Sequence, residues 1–373
     1  MNRDDLSALE AAGLYDPNAE NAAERLELLE WMLAQNVTTR EVVDAAEDGS
    51  PLTGLVGDLI VRRSGEKITL DELAARAGMT RERAEQIRLA VGLTPAGDNE
   101  RRFSPEDIAL FTSFDGASKI FGEAPVLQYM RVLGSSIARI AEATVSLFLL
   151  NVEGPIVERG GSELELARAN LQVVERLATL PPLISSLLRA HVDIATRRMR
   201  TARPLRTMEL FNMSVGFIDL VGFTHLSRKM SARELGQVIA EFEGRAHDVV
   251  TVAGGRLVKL IGDEVMFVAL DAAAACDVAL TLLESFADDA IITPRGGVAS
   301  GGMLMLGGDY YGPVVNLASR IAELAVPHEI LVTQELVRSA GADRFHFEPA
   351  GKRLLKGFDE PVPLFAAQRK KAG

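Results

Sequence analysis

Apolar residues recur at spacings of three and four through roughly the first 200 positions of the chain, with few runs of β-branched residues. This spacing is typical of amphipathic helices. Beyond position 210, short apolar runs such as residues 213–220 alternate with helical stretches such as residues 232–252, which is the rhythm of a domain that combines strands and helices. The pattern therefore predicts an all-helical domain over residues 1–200 and an α+β domain over residues 211–373.

The two regions meet in a strongly basic segment, residues 197–206, which contains five arginines and a proline. Pro204 cannot continue a helix because it lacks a backbone N–H and disfavours a helical conformation in the residue before it. We therefore predict a linker over residues 201–210.

The composition excludes several classes of protein. The 373 residues carry a formal net charge of −12, so bulk electrostatics do not favour a nucleic acid or an anionic membrane as partner. A single cysteine, Cys276, excludes a disulfide framework and a cysteine-based zinc site. The polar N-terminus lacks the apolar core of a secretory signal, and no uninterrupted apolar run approaches the roughly 18 residues of a membrane span. We expect a cytoplasmic protein without a transmembrane segment.

Two aspartates stand where they could hold metal ions. Asp219 ends an apolar strand shortly before Phe223 and Thr224, where a helix is expected to begin. Backbone N–H groups at a helix start can hold phosphate, and a carboxylate at the strand end can hold a cation on that phosphate. Asp263 lies at the tip of a predicted hairpin between two short apolar runs. Such a pair suits two Mg²⁺ ions, although each aspartate is also an ordinary cap or turn residue.

A glycine-rich loop over residues 307–312 leads into a helix that is predicted to begin at Pro313. Asn316 and Arg320 are four residues apart and therefore lie on one face of this helix. Such a pair can be no more than a polar surface. On a helix that faces phosphate, however, an arginine supplies a forked positive group for the charge that develops in phosphoryl transfer.

These three segments, in this order and at these spacings, resemble the catalytic domain of the class III nucleotide cyclases over about residues 207–373. The resemblance implies a ferredoxin-like βαββαβ fold, two Mg²⁺ or Mn²⁺ ions per site, and a site built between two catalytic domains of a homodimer. It assigns Asp219 and Asp263 to metal binding, Lys259 and Asp309 to the purine edge, Asn316 and Arg320 to ribose orientation and transition-state stabilisation, Lys356 to the terminal phosphates, and Phe223 and Thr224 to substrate binding.

The identity of Lys259 and Asp309 indicates the substrate. Adenine offers an amino group as donor and N1 as acceptor, which a carboxylate and an ammonium group can satisfy. Guanine reverses both, so a site of this kind discriminates against GTP. We therefore expect an adenylate cyclase that converts ATP to 3′,5′-cyclic AMP and pyrophosphate. A guanylate cyclase is the alternative if Lys259 and Asp309 do not determine which purine base is bound.

The clearest local feature of the first half is a helix-turn-helix pattern over residues 67–103. Thr69 and Thr80 are expected to cap two short helices, with Gly78 in the turn between them. The segment resembles the DNA-binding module of MerR-type regulators, yet its seven basic and six acidic side chains give a charge of only +1. DNA-binding modules carry a basic footprint, so we expect no nucleic acid partner. A nucleotide-sensing, DNA-binding regulator is the alternative function.

Apolar residues line one face of a predicted helix over residues 126–150, from Leu127 to Leu147. Packing within a helical core is the default interpretation. The alternative is a cavity for a fatty acid or another apolar ligand, because a wholly apolar face can line a tunnel.

An all-helical half before such a catalytic domain resembles the pH-responsive actinobacterial cyclases, in which the N-terminal domain inhibits the catalytic domain. The resemblance implies the same organisation for this chain. Among its five histidines, His191 lies just before the basic connector, where protonation would add charge beside Arg197 and Arg198. We therefore take His191 as the candidate pH-sensing residue.

Overall fold

The computed structural model describes residues 1–61, 66–177, 179–202, 210–289, 291–341 and 343–370. The chain divides into two compact units, Met1–Leu188 and Arg189–Gly373. This division falls inside a helix, Leu180–Ala202. The position predicted as the domain boundary, residue 200, therefore lies on a helix, and residues 203–209 of the predicted linker lie outside the described residues.

The first unit is helical, as the apolar spacing predicts. Its elements are α1 (Arg3–Ala11), α2 (Ala22–Ala34), α3 (Thr39–Glu47), α4 (Leu52–Val61), α5 (Leu70–Arg76), α6 (Arg81–Ala90), a 3₁₀ turn (Pro105–Asp107), α7 (Ile108–Phe121), α8 (Glu123–Phe148), a π-helical segment (Leu149–Glu153), α9 (Gly154–Glu158), α10 (Glu163–Leu177) and the start of α11 (Leu180–Ala202). One hydrophobic cluster joins α1–α4 to α10, and a second joins α5–α8.

The predicted helix-turn-helix is present and begins as its capping residues dictate. The Thr69 side chain accepts a hydrogen bond from the Glu72 backbone N–H, and the Glu72 carboxylate accepts one from the Thr69 backbone N–H. This reciprocal capping box starts α5. The Thr80 side chain caps α6 in the same position. Gly78 has a φ of 71° in the turn between them, a left-handed conformation that favours glycine.

The apolar face of α8 is only partly core. Leu127 and Met130 are buried in the α5–α8 cluster, whereas Ile137, Ile140 and Leu147 are 42%, 44% and 65% exposed. The default interpretation of core packing is therefore correct for the first turns of the face and wrong for the rest. The difference arises because, within this unit, the described helices cover only the N-terminal end of the face.

One described helical segment, Glu123–Glu158, is long and apolar enough to cross a membrane by length and composition alone. The sequence analysis expected no membrane-spanning segment because no uninterrupted apolar run is long enough. This segment is apolar enough on average, although four charged residues interrupt it: Arg131, Arg139, Glu142 and Glu153.

The second unit combines strands and helices and includes the rest of α11. Its elements are β1 (Phe211–Leu220), α12 (Phe223–Ser227), α13 (Ala232–Val252), β2 (Arg256–Ile261), β3 (Glu264–Ala269), α14 (Ala272–Glu284), β4 (Pro294–Leu306), β5 (Asp309–Tyr311), α15 (Pro313–Leu324), β6 (Ile330–Thr333), α16 (Gln334–Ala340), β7 (Phe345–Arg353) and β8 (Val362–Arg369). The predicted start of α15 at Pro313 is correct.

The strands of this unit form one mixed sheet in the order β2-β3-β1-β4-β6-β8-β7, and β5 pairs with β4. β1 lies antiparallel between β3 and β4, and β4 continues the sheet through a parallel pairing with β6. The segment β1-α13-β2-β3-α14-β4 has the order 2-3-1-4, which is the ferredoxin-like βαββαβ arrangement. The predicted fold class is confirmed.

Residues on β1 are buried on both faces of the sheet. Ile218 joins the cluster beneath α13 and α14, whereas Val215 and Phe217 join the cluster beneath α15. The sheet is thus enclosed between helices along its centre, and polar side chains gather where β1 ends beside the β2–β3 hairpin.

Candidate active site

The two predicted metal-binding aspartates lie side by side. Asp219, near the end of β1, pairs in register with Glu264, the first residue of β3. Asp263 immediately precedes Glu264 in the β2–β3 hairpin, where Gly262 adopts a φ of 66° that favours glycine. Burial, and then the charge of Asp219, raise the pKa of the Asp263 carboxyl group. Two adjacent carboxylates that repel each other in this way form a donor set that suits a hard divalent cation.

Arg295 binds one of these aspartates and was not singled out from the sequence. It lies opposite Asp219 in the β1–β4 pairing, and its Nε and Nη2 donate to Asp219 Oδ2 at 3.2 and 2.9 Å. Its Nη1 donates to the backbone carbonyls of Glu323 and Ala325 at 3.0 and 3.1 Å. The two partners stand 76 residues apart in sequence, so only the strand register brings them together.

Glu264 is a second residue that the sequence did not single out. Burial raises its pKa to about 7, and the charges of Asp219, Glu323 and Asp263 act in the same direction. Arg295 opposes them. The end of β1 therefore concentrates carboxyl groups around the Arg295 guanidinium.

Lys259 and Asp309 form an ion pair. Lys259 Nζ lies 2.5 Å from Asp309 Oδ2, with the two side chains 39% and 24% exposed. The other carboxylate oxygen, Asp309 Oδ1, accepts from the backbone N–H of Tyr310 at 2.8 Å. The pair joins β2 to β5, so the structure brings together the two residues assigned to the purine edge, with one donor and one acceptor side by side.

A cleft of about 390 Å³ gathers the residues assigned to ribose and phosphate. Its lining consists of Pro313, Asn316, Ser319, Arg320, Lys356, Gly357 and Phe358. Asn316 and Arg320 come from α15, as their spacing predicts, and Lys356 comes from the loop between β7 and β8. Arg320 Nη1 also donates to Glu323 Oε1 one turn further along α15. The cleft thus combines an amide, a guanidinium and an ammonium group.

The remaining predicted residues are Phe223, Thr224 and His191. Phe223 begins α12 and packs, partly buried, against the cluster beneath α13 and α14. The side chain of Thr224 lies outside the described part of the chain. His191 is exposed on α11.

The helix-turn-helix holds its arginines in ion pairs. All six arginines of residues 67–103 have a carboxylate partner: Arg76 with Glu66, Arg81 with Asp71 and Asp98, Arg83 with Asp115 and Glu123, Arg88 with Glu85, Arg101 with Glu72, and Arg102 with Glu100. Arg88 is also buried and stacks 4.6 Å from the centre of the Phe103 ring. Each of these guanidinium groups therefore already forms an ion pair within the first unit.

The first unit contains a larger cavity of about 870 Å³, between the C-terminal end of α8 with its π-helical extension and the end of α10. Its apolar lining includes Leu147, Phe148, Val152, Val173 and Leu177. Of the apolar residues predicted to line one face of α8, Leu147 lines this cavity.

Comparison with known proteins identifies both halves of the chain. The family model of the adenylate cyclase regulatory domain matches residues 7–195, and that of the adenylate and guanylate cyclase catalytic domain matches residues 207–366.

Full-length relatives are similar over nearly the whole chain. An uncharacterized protein of Mycobacterium tuberculosis is 32% identical over 97% of this chain and 93% of its own length. An adenylate cyclase of Streptomyces coelicolor is 31% identical over 87% of each chain. A pH-sensitive adenylate cyclase of Mycobacterium tuberculosis is 29% identical over 95% of this chain and 91% of its own length.

Proposed function

The chain belongs to the class III adenylate cyclases that carry an adenylate cyclase regulatory domain, and we propose that it converts ATP to 3′,5′-cyclic AMP and pyrophosphate. The observation that carries this proposal is the convergence of Asn316, Arg320 and Lys356 on one cleft. These residues lie 40 positions apart at the extremes, so their meeting is a property of the fold.

The same residues suggest how the reaction proceeds. The ribose 3′-hydroxyl loses its proton to solvent, and its oxygen attacks the α-phosphorus in line. The new O–P bond closes the ring as the bond from the α-phosphorus to the pyrophosphate oxygen breaks. Asn316 holds the ribose, Arg320 stabilises the charge that develops on the α-phosphoryl oxygens, and Lys356 holds the terminal phosphates. Lys259 and Asp309 exchange their mutual ion pair for hydrogen bonds to the N1 and amino group of adenine. A purine with the opposite donor pattern would leave both groups unpaired, which favours ATP over GTP.

Asp219 and Asp263 are the proposed ligands of two Mg²⁺ or Mn²⁺ ions. Their adjacency and the raised pKa of Asp263 support this assignment, because a divalent cation would relieve the repulsion between them. Mg²⁺ retains water and phosphate oxygens as ligands, so two carboxylates suffice. When bound, such ions lower the pKa of the attacking hydroxyl group and neutralise the leaving pyrophosphate.

We further propose that the enzyme is a homodimer in which each site takes Asp219 and Asp263 from one chain. The other chain supplies Lys259, Asp309, Asn316 and Arg320. Neither aspartate belongs to the lining of the cleft, which supports a division of the site. The exposed apolar residues of α8 supply a surface that association could bury.

Mixed dimers test this arrangement. Asp263→Asn should inactivate the metal half of a site and Asn316→Ala the ribose half, each by about a hundredfold or more. Random association of equal amounts leaves one intact site in half of the dimers, so about a quarter of the wild-type activity should return. Activity that does not return on coexpression would contradict the shared site.

The N-terminal domain is proposed to inhibit the catalytic domain in response to pH, with His191 as the sensing residue. His191 is exposed on α11 near the ion pair of Asp193 with Arg197. Replacing His191 by alanine should flatten the dependence of activity on pH between 5.5 and 8. The matched control is the exposed His346→Ala. If both variants retain the wild-type profile, His191 is not the sensor.

The 870 Å³ cavity supports a fatty acid or another apolar ligand as a second regulatory input. A fluorescent long-chain fatty acid should bind the wild-type protein and should bind Val173→Trp more weakly, because the indole would fill the cavity. Val157→Trp, at an exposed position outside the lining, is the control. Equal binding to all three proteins would exclude this cavity.

A further inference from the structure

Arg295 contacts parts of the molecule that serve different catalytic tasks. On one side its Nε and Nη2 hold Asp219, a proposed metal ligand. On the other side its Nη1 holds the carbonyls of Glu323 and Ala325, at the C-terminal end of the helix that carries Asn316 and Arg320. The Arg295 and Asp219 side chains are only 25% and 22% exposed, so solvent screens this contact weakly.

The carbonyls at the end of α15 need such a partner. The last carbonyl groups of a helix have no N–H donor within the helix, and a positive charge there also complements the helix dipole. A guanidinium group can satisfy a carboxylate and two carbonyls at once because its five donors point in fixed directions, which an ammonium group cannot reproduce.

The packing of α15 on β4 leaves little freedom for the helix to move independently of Arg295. Gly297 lies two residues beyond Arg295 on the same face of β4. A Cβ atom added to Gly297 would lie 2.4 Å from the Ala318 carbonyl oxygen and 2.4 Å from the Ala322 nitrogen, so the helix backbone rests directly on the strand.

The contact extends to the arginine of the cleft. Glu323 accepts from Arg295 through its backbone carbonyl and from Arg320 through its side chain. A continuous route of four residues therefore runs from Asp219 through Arg295 and Glu323 to Arg320.

From this route we infer that Arg295 is a positioning residue that connects the two active sites of the dimer. Within one chain, Asp219 serves one site and Arg320 serves the other; this step rests on the proposed shared site. Arg295 orients the metal ligand of the first site and anchors the helix that presents the transition-state arginine to the second.

A mixed dimer with one intact site separates these roles. One chain carries Asn316→Ala and supplies the aspartates, and the other carries Asp263→Asn and supplies Arg320. Both substitutions leave the four residues of the route unchanged. Arg295→Gln is then introduced into either chain alone, with differently tagged chains purified as the heterodimer.

The two placements should have different effects. In the chain that supplies the aspartates, loss of a positive charge beside Asp219 should tighten the binding of Mn²⁺, measured by electron paramagnetic resonance without nucleotide, by about threefold or more. In the chain that supplies Arg320, kcat at saturating Mn²⁺ should fall about tenfold or more because the helix end is no longer held, while Mn²⁺ binding to the intact site is unchanged.

Two control variants distinguish this positioning role from a general loss of stability. Arg295→Lys keeps the positive charge but lacks the forked donors of a guanidinium group. In the first placement it should therefore give the Mn²⁺ affinity of the parent heterodimer, whereas in the second placement kcat should stay low. Arg344→Gln removes a 61% exposed arginine that pairs with Asp277 on the same domain and should change neither quantity.

Each contrary result has a distinct meaning. An active parent heterodimer whose kcat is unaffected by Arg295→Gln in the Arg320-supplying chain would overturn the connection alone. Equal losses of kcat in both placements without a change in Mn²⁺ binding would reduce Arg295 to a role in general stability. An inactive parent heterodimer would overturn the shared site, and the connection with it.

Discussion

At the scale of single residues, the end of β1 balances opposite charges at close range. Arg295 holds Asp219 from β4, while Glu264 and Asp263 crowd it from the β2–β3 hairpin. Within the protein alone, the Arg295 guanidinium group offsets this repulsion, and so does protonation of Glu264 or Asp263, whose carboxyl pKa values are both raised. A divalent cation at Asp219 and Asp263 would offset it further.

Glu264 should make the metal-free protein less stable as the pH rises. Its pKa is raised to about 7 by burial and by Asp219, Glu323 and Asp263, against the opposing charge of Arg295. A raised carboxyl pKa contributes stability that is complete below the unfolded value of 4.5 and is lost as the pH rises through 7.

Unfolding by urea in the presence of a chelator measures this effect. Between pH 5 and 8 the wild-type free energy of unfolding should fall by about 1–2 kcal/mol more than that of Glu264→Gln, after allowance for solvent screening. The exposed Glu360→Gln should follow the wild type. Parallel pH profiles for wild type and Glu264→Gln would contradict the assignment.

The ion pair of Lys259 and Asp309 leads to a prediction about the substrate. Lys259→Glu with Asp309→Cys reverses the donor and acceptor pattern offered to the purine. The ratio of kcat/KM for ATP to that for GTP should therefore fall by about a hundredfold or more. Lys352→Glu, at an exposed position on β7, serves as the charge control. An unchanged ratio in the double variant would remove these residues from base recognition.

At the scale of secondary-structure elements, the sequence predicts the helix starts and the hairpin turn correctly. Thr69 and Thr80 start helices, Pro313 begins α15, and the turn at Gly262 produces a hairpin, because each of these signals acts within a few residues. The contact of Arg295 with Asp219 could not be predicted, because it depends on the register of two strands that are distant in sequence. Nothing in its immediate neighbours distinguishes it from an ordinary strand residue.

The helix-turn-helix should not bind DNA, because its six arginines are already paired with carboxylates. Fluorescence anisotropy with a labelled duplex at about 150 mM salt should give a dissociation constant weaker than about 10⁻⁴ M. Glu72→Gln with Glu100→Gln would remove the carboxylate partners of Arg101 and Arg102 and should strengthen binding at low salt. Submicromolar, salt-sensitive binding by the wild type would support the DNA-binding regulator instead.

At the scale of the whole molecule, a helical unit and an α+β unit each contain part of α11. The apolar spacing predicts the two kinds of architecture, and the family resemblance of the second half predicts both members of the ion pair and three residues of the cleft, Asn316, Arg320 and Lys356. The exposed part of the α8 face could not be predicted from one chain, because the periodicity that marks a core face also marks a face that meets another molecule.

In the proposed reaction the chain makes cyclic AMP from ATP with metal held by Asp219 and Asp263. The most direct test incubates the purified full-length protein with ATP or GTP and Mn²⁺ and measures cyclic nucleotide and pyrophosphate. We predict equal amounts of cyclic AMP and pyrophosphate from ATP, little product from GTP, and a loss of about a hundredfold or more in Asp219→Asn. Absence of cyclic AMP under all conditions from pH 5.5 to 8 would contradict the proposed activity, and full activity of Asp219→Asn would contradict the proposed metal site.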